Sequence, residues 1–385
     1  MKKKLIYVLN SYSSKSAQHF YHVINLLDQM GKSGVDVVLI IEKADENPEI
    51  EADIKVVVQK EKGIKRALEL YKILKKYINL GYSKTFVRIS LNASVIAILA
   101  AMGKKSEVYF WQSGDNLTYD RQKKGSDKVK WYLMNYTKLW FTKTFGDHFV
   151  TGPETMVKYY IDELKVDHKK MLCLYNDIDV NRFKMGEEKN RKELREELNL
   201  PLDAKIVLFI HRLTPVKRFS NFIPAIAETD KARENNIYYV VVGGGPEAEL
   251  VRNNVENSKY KDRIVLLGPK PNAEIQKYYA GADVFVNPSY SEGFPRVIIE
   301  AMSAGLPVVV TDVGGTKDIL PDEQKKYLMD KDDVSGFRDK VLELVCKQDE
   351  CKKLSMINRK YVERFSTQNV AAQYISKIWS EEERG

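Results

Sequence analysis

Cysteine is scarce. The 385 residues hold three, Cys173, Cys346 and Cys351, at spacings that match no metal-binding pattern, and the odd number leaves one thiol unpaired. That excludes a disulfide framework and favours a reducing cytoplasm. Long apolar runs are also missing. The longest, residues 95–102, is far short of the ~20 residues that cross a bilayer and suits a core helix. The start, Lys2-Lys3-Lys4 before apolar residues 5–9, imitates a secretion signal, but the apolar stretch is too short and turns polar at Asn10. It reads as a first strand. Histidine is absent from the whole stretch between His22 and His148.

What is present is a soluble composition, 44% apolar and 30% charged, in a chain long enough for two or three domains. The net charge of +9 is uneven. Residues 1–185 hold 31 Lys/Arg against 21 Asp/Glu, and the remainder 31 against 32. A basic half suits an anionic membrane surface, a phosphorylated acceptor or nucleic acid, and ordinary lysine-rich composition explains it equally well.

Apolar runs at 5–9, 35–42, 54–58, 85–89, 108–111, 147–151 and 171–174 predict strands, with helical stretches between them at 17–31, 62–79 and 93–102. Such alternation predicts a parallel sheet with helices on both faces. In helix 62–79, Ile64, Leu68, Tyr71, Leu74 and Ile78 are expected on one buried side, with lysines elsewhere. Residues 118–145 mix lysines with Trp131, Tyr132, Met134, Tyr136, Trp140 and Phe141. That pattern suits either a helix lying on a membrane surface or one burying its aromatics in the core. Residues 181–204 are polar and read as a linker with an approach helix. A second doubly wound unit then opens at strand 206–210, with further strands at 240–242 and 264–267 and charged helices after 315.

The chain is organised around residues 284–315. A short strand (284–286) leads through a loop into a helix that Pro295 can open from its first turn, ending near Gly305 before a second strand, 307–311. A helix N-terminus beyond a strand is an anion site. Two carboxylates flank it, Glu292 before the helix and Glu300 within it. Phosphate donors beside hydroxyl acceptors suit a nucleotide sugar. The plain alternative is a solvated loop glutamate and a helix-surface glutamate.

The string Glu292-Gly293-Phe294-Pro295 through Glu300-Ala301-Met302, then Gly305-Leu306-Pro307-Val308-Val309, resembles the E-x7-E region of the retaining GT-B glycosyltransferases of family 4. His211-Arg212-Leu213 through Lys217-Arg218 resembles the family's G-R-L-x-x-x-K-G, with His211 and Arg218 in place of the two glycines. The resemblance implies an α/β chain of GT-B architecture, two doubly wound Rossmann-like domains facing a central cleft. Residues 1–180 would bind the acceptor, with a final helix (366–385) crossing back onto them, and residues 181–365 would bind the nucleotide sugar.

It implies a retaining hexosyltransferase that moves sugar from a UDP or GDP sugar to a glycan or lipid-linked acceptor in bacterial surface polysaccharide or glycolipid synthesis. Arg212 and Lys217 would meet the diphosphate charge, and Glu292 would hold the transferred sugar. Glu300 would take the ribose hydroxyls, with Gly244, Lys270, Gly293, Phe294 and Pro295 completing the donor site. No metal is expected. In the first domain, Ser13 and Ser14 replace the family's first glycine-rich loop. Gln112, Ser113 and Asp115 stand where family members often carry a histidine. A cytoplasmic chain in peripheral contact with the membrane through its basic half is expected, and a nucleic-acid partner is not. Two other classes share the layout: a GT-B UDP-sugar 2-epimerase, and a non-catalytic GT-B nucleotide- or partner-binding protein.

Overall fold

The computed structural model describes residues 2–12, 14–44, 50, 52–112, 114, 129 and 132–380, with the side chains of 14–21 left aside. The chain divides into two units, residues 1–177 with 367–385 and residues 178–366.

The first unit is a seven-stranded sheet, all parallel, in the order β3-β2-β1-β4-β5-β6-β7. The strands are β1 Lys4–Leu9, β2 Asp36–Ile41, β3 Lys55–Val58, β4 Lys84–Arg88, β5 Glu107–Trp111, β6 His148–Thr151 and β7 Met171–Cys173. Strands buried on both faces read as continuous apolar runs, which is why the sequence marks them clearly. Leu5, Tyr7 and Leu9 face one core layer and Ile6 and Val8 the other. The helix Thr367–Ile378 belongs to the first unit and buries Val370, Ala371 and Tyr374 in its core.

The helix Gly63–Asn79 differs from expectation. It buries Leu70, Leu74, Tyr77 and Ile78, while Ile64 and Leu68 are 82% and 59% exposed. Its apolar row drifts around the helix, and only the C-terminal turns meet the core. The lysine and aromatic stretch also divides. The described part, a π-helical turn Tyr132–Tyr136 and a helix Thr137–Phe145, packs Tyr136, Leu139 and Phe141 on the core. It leaves Tyr132, Met134 and Trp140 exposed. Trp131 lies outside the described residues.

The second unit is a six-stranded parallel sheet, β10-β9-β8-β11-β12-β13. Its strands are β8 Lys205–Ile210, β9 Ile237–Val242, β10 Ile264–Gly268, β11 Val284–Asn287, β12 Val308–Thr311 and β13 Leu328–Met329. Two residues carry no periodicity, so β13 has no sequence signal. Its partner β12 creates it by pairing Val310 with Leu328. The approach helix Glu188–Glu197 is fastened by charge. Arg191 and Arg195 donate to Asp283 at 2.8 and 2.7 Å, and the Ile206 N–H completes the carboxylate's shell at 2.8 Å.

Candidate functional site

Strand order places the site. In each sheet the winding direction reverses once, between β1 and β4 in the first unit and between β8 and β11 in the second. Loops leaving the carboxyl ends of strands at such a reversal diverge and leave room for a ligand. In the second unit those loops are 211–218 and 288–295, the two stretches that carry the motif residues.

The loop after β8 tightens into a 3₁₀ turn, Pro215–Lys217. Arg218 follows at φ +65, the left-handed region that glycine enters at least cost. This is where the family motif has its second glycine, and here cation–π contacts hold the arginine. Its guanidinium lies 4.7 Å from the Tyr290 ring centroid and 5.2 Å from Phe222. Tyr290 ties the two loops by donating its N–H to the Val216 carbonyl at 2.8 Å.

Glu292 is the centre. Its carboxylate is buried, and Oε1 accepts from Lys217 Nζ at 2.7 Å, Ser289 Oγ at 2.6 Å and Asn287 Nδ2 at 3.1 Å. His211 Nε2 stands 3.6 Å away. Burial pushes this carboxyl up, but the Lys217 charge and the polar contacts of His211 and Lys217 outweigh it and hold it well below the usual carboxylate range. The group is therefore a fixed negative charge. His211 accepts the Arg212 backbone N–H on Nδ1 at 2.8 Å. A neutral ring accepting there carries its proton on Nε2, aimed at Glu292. Burial pushes the imidazole down, the Lys217 charge adds to that, and Glu292 opposes it; the net direction is down.

Arg212 itself is exposed, and among the described residues its guanidinium forms no ion pair. The two motif cations thus differ: Lys217 is spent on Glu292, while Arg212 is open to an anion. The helix Arg296–Ser303 begins beyond Glu292 with Pro295 as its N-cap, one residue ahead of the first-turn position expected of it. The proline carbonyl accepts the Ile298 N–H of the first turn at 3.0 Å. Glu300 is buried in that helix, not on its surface. It accepts from Tyr279 Oη at 3.1 Å and stands 3.6 Å from Arg296 Nη2. Phe294 is buried edge-on against Phe365, and Gly293 lies between it and Glu292.

Glycines around the centre are there for backbone approach. A Cβ on Gly314 would lie 1.7 Å from the Glu292 carbonyl oxygen, and one on Gly243 would lie 1.9 Å from that of His211. Gly244 accepts the Leu213 N–H at 3.0 Å and lies against the Pro269 ring. The glycine turn therefore buttresses the 211–213 loop. Lys270 is partly exposed on the turn after β10.

In the first unit, Gln112 is buried at the end of β5 and donates its N–H to Val150. Ser14 opens the helix Ser14–Lys32. Ser13, Ser113 and Asp115 lie outside the described residues. The expected residues Arg212, Lys217, Glu292, Gly293, Phe294, Pro295 and Glu300 converge within the second unit. Asn287, Ser289, Tyr279 and Arg296 were missed as partners, and His211 was read only as the residue in place of the motif's first glycine. The available signal was Asn287 and Ser289, polar residues at the end of an apolar strand.

Comparison with known proteins bears on the same region. Residues 190–361 match the family model described as glycosyl transferases group 1. The chain is 31% identical over 208 residues to D-inositol 3-phosphate glycosyltransferase of Corynebacterium efficiens, covering 53% of this chain and 49% of that one. It is 27% identical over 213 residues to N-acetyl-alpha-D-glucosaminyl L-malate synthase of Bacillus anthracis, covering 55% and 54%. The matches span about half the length of these curated relatives. Among solved structures, Anabaena Alr3699/HepE in complex with UDP and glucose superposes with a TM-score of 0.76 at 16% identity, over 98% of this chain and 100% of that one. The likeness shows the fold, and two doubly wound units in one chain are the two-domain GT-B fold expected from the motifs.

Proposed function

We propose, on the premise that residues 190–361 belong to the group 1 glycosyl transferases, that this chain is a retaining glycosyltransferase of bacterial glycan synthesis using a nucleoside-diphosphate sugar. The observation that carries the reading is the buried Lys217–Glu292 pair ahead of a helix N-terminus, with Arg212, which forms no ion pair among the described residues, on the same loop as Lys217. Arg212 grips phosphate oxygens and Lys217 adds a point charge as negative charge builds on the leaving group. The N-terminus of the helix Arg296–Ser303 adds the partial positive charge of its dipole. Glu300, steadied by Tyr279, takes the ribose hydroxyls, and the turn with Gly268 and Lys270 holds the base. Glu292 stays ionised and favours positive charge at the anomeric carbon. With Oε1 engaged by three donors, it acts as an electrostatic partner and not as the nucleophile. The acceptor hydroxyl attacks the anomeric carbon from the face that the diphosphate leaves. The C–O bond to phosphate breaks with its electron pair, and the departing phosphate oxygen takes the hydroxyl proton. Charge on the diphosphate is met by protein cations, so the reading assigns no metal.

UDP and glucose are bound by the Anabaena neighbour, and UDP is the nucleotide we assign first. Peripheral membrane contact belongs to the same reading. Ile64, Leu68, Leu99 and Trp140 are exposed on three helices of the basic first unit, and Met102 just past the end of one of them. Among the described residues no helix is long and apolar enough to cross a membrane.

The test is thermal unfolding with UDP, GDP and ADP, each in EDTA, for the native chain and Arg212→Ala. Nucleotide at 100 times its dissociation constant adds about 2.7 kcal/mol, a rise of roughly 5–10 °C. The expected result is a shift with UDP, metal-free, that Arg212→Ala abolishes. No shift with any nucleotide would overturn the donor site.

A further inference from the structure

The second unit contains a cavity of about 600 Å³ at the amino ends of β8, β11 and β12, where Lys205, Asp283 and Pro307 line it. The loops 211–218 and 288–295 leave the opposite ends of β8 and β11, so the cavity lies a strand's length from the donor site. Its other walls come from the helices Val334–Cys346 and Gln348–Val362. Buried Leu344, Val345 and Pro307 form the floor, and the thioethers of Met185 and Met356, 47% and 70% exposed, stand at the mouth. Apolar surface left open to water costs free energy that an apolar ligand recovers. The volume falls within the ~300–1,000 Å³ of small-molecule sites, which pair an apolar lining with a few polar groups. Methionine is flexible enough to close over a chain of variable shape.

Cys351 belongs to the apolar lining. Its thiol donates to the Leu344 carbonyl at 3.0 Å. Burial pushes it up to about 11; Asp283 adds to the rise, and Arg191 and Lys205 oppose it. It is therefore a neutral thiol at pH 7. The charged groups of the cavity divide into engaged and open ones. Arg191 and Asp283 are paired with each other at 2.8 Å. Glu188 stands in the first turn of its own helix, where it answers the dipole. Lys205 and Lys352 form no ion pair among the described residues. Other lysines close by do: Lys347 meets Glu343 at 3.2 Å, and Lys326 meets Glu350. The cavity thus joins an apolar chamber to two open cations. A neutral hydrocarbon would leave the lysines unanswered, and a bare anion would leave the floor wet.

We propose that this cavity binds a hydrocarbon chain with an anionic head, the chain on Leu344, Val345 and Met356 and the head on Lys205 and Lys352. The inference goes beyond glycosyl transfer and does not rest on it. The chain can belong to a free fatty acid or to a membrane lipid.

The experiment is calorimetric titration of the full chain with dodecanoate, octanoate and dodecyltrimethylammonium, each below its micelle concentration. Every further buried methylene is worth about fourfold in affinity, so dodecanoate is expected to bind at least tenfold more tightly than octanoate. It should also bind at least tenfold more tightly than the cationic amphiphile. Maleimide labelling read by mass spectrometry places the ligand: dodecanoate should slow labelling of Cys351 and leave that of exposed Cys346 unchanged. Lys352→Glu and Met356→Asp should each weaken dodecanoate about tenfold. Both residues are exposed, so both variants are expected to unfold at the native temperature. Protection of Cys351 by phosphatidylglycerol vesicles assigns the chain to a membrane lipid, and protection by dodecanoate alone assigns it to a free fatty acid. No binding of dodecanoate, equal binding of the cationic amphiphile, unprotected Cys351, or full retention in both variants overturns the proposal.

Discussion

Replacing Lys217 by Met keeps the side chain's length and removes its charge. Glu292 then keeps Ser289 at 2.6 Å and Asn287 at 3.1 Å but loses the donor at 2.7 Å. Breaking one side of a buried pair costs about 3–5 kcal/mol, and two remaining neutral donors offset about 1 kcal/mol of that. We expect a loss of about 2–4 kcal/mol at pH 8. The loss should depend on pH, because His211 stands 3.6 Å from the same oxygen. In the native chain burial and Lys217 depress the His211 pKa. Its contribution to stability is then complete above the unfolded value of about 6.5 and falls away below it. In the variant the Lys217 charge is gone and Glu292 favours the imidazolium, so the folded pKa moves back toward the unfolded value and less stability is lost as pH falls. The deficit should therefore shrink by about 1 kcal/mol or more between pH 8 and pH 5.5. Urea denaturation at both pH values measures it, read by amide hydrogen exchange of residues 284–303 because two units need not unfold together. A deficit under about 1 kcal/mol at pH 8, or one equal at both pH values, refutes the reasoning.

Gly314→Ala places a Cβ 1.7 Å from the Glu292 carbonyl oxygen at φ +52 and should cost more than about 2 kcal/mol in thermal unfolding. Gly34→Ala, at φ +90 with nothing within 4 Å, should cost only about 1–2 kcal/mol of backbone strain. Equal losses would show that contact is not the cause. Asp283→Ala strands the buried Arg195 guanidinium and should cost about 3–5 kcal/mol, with early hydrogen exchange in residues 188–197. A change below about 1 kcal/mol would mean that charge does not fasten this helix. In the first unit the Glu107 carboxyl, hydrogen-bonded by His148, Tyr109 and Lys84, is lowered from 4.5 to about 2. A depressed carboxylate adds stability above its unfolded pKa and loses it as pH falls. Glu107→Gln should thus be less stable than native above pH 5 and converge with it toward pH 2, as acid titration of unfolding will read; a constant gap would contradict this.

Buried parallel strands were legible because both faces demand apolar residues, and β1, β8 and β11 were found within a residue or two. The motif glutamates and cations were legible because their chemistry restricts residue type at fixed spacing. The face of the helix Gly63–Asn79 was not. Ile64 and Leu68 satisfy helical periodicity as well as Leu70 and Leu74 do, and only the neighbouring elements choose between rows. Nor was the role of His211, which depends on two nitrogens meeting groups one and 81 positions away.

The sequence alone determined the α/β class, the two doubly wound halves and a donor-type motif, since each is written in short-range pattern. Tertiary structure alone decided that Lys217 is paired while Arg212 is open, that Glu292 is a buried fixed charge, and that Lys205 and Lys352 meet at an apolar cavity. Burial and pairing depend on residues far apart in the chain, and local pattern carries no record of which distant group arrives.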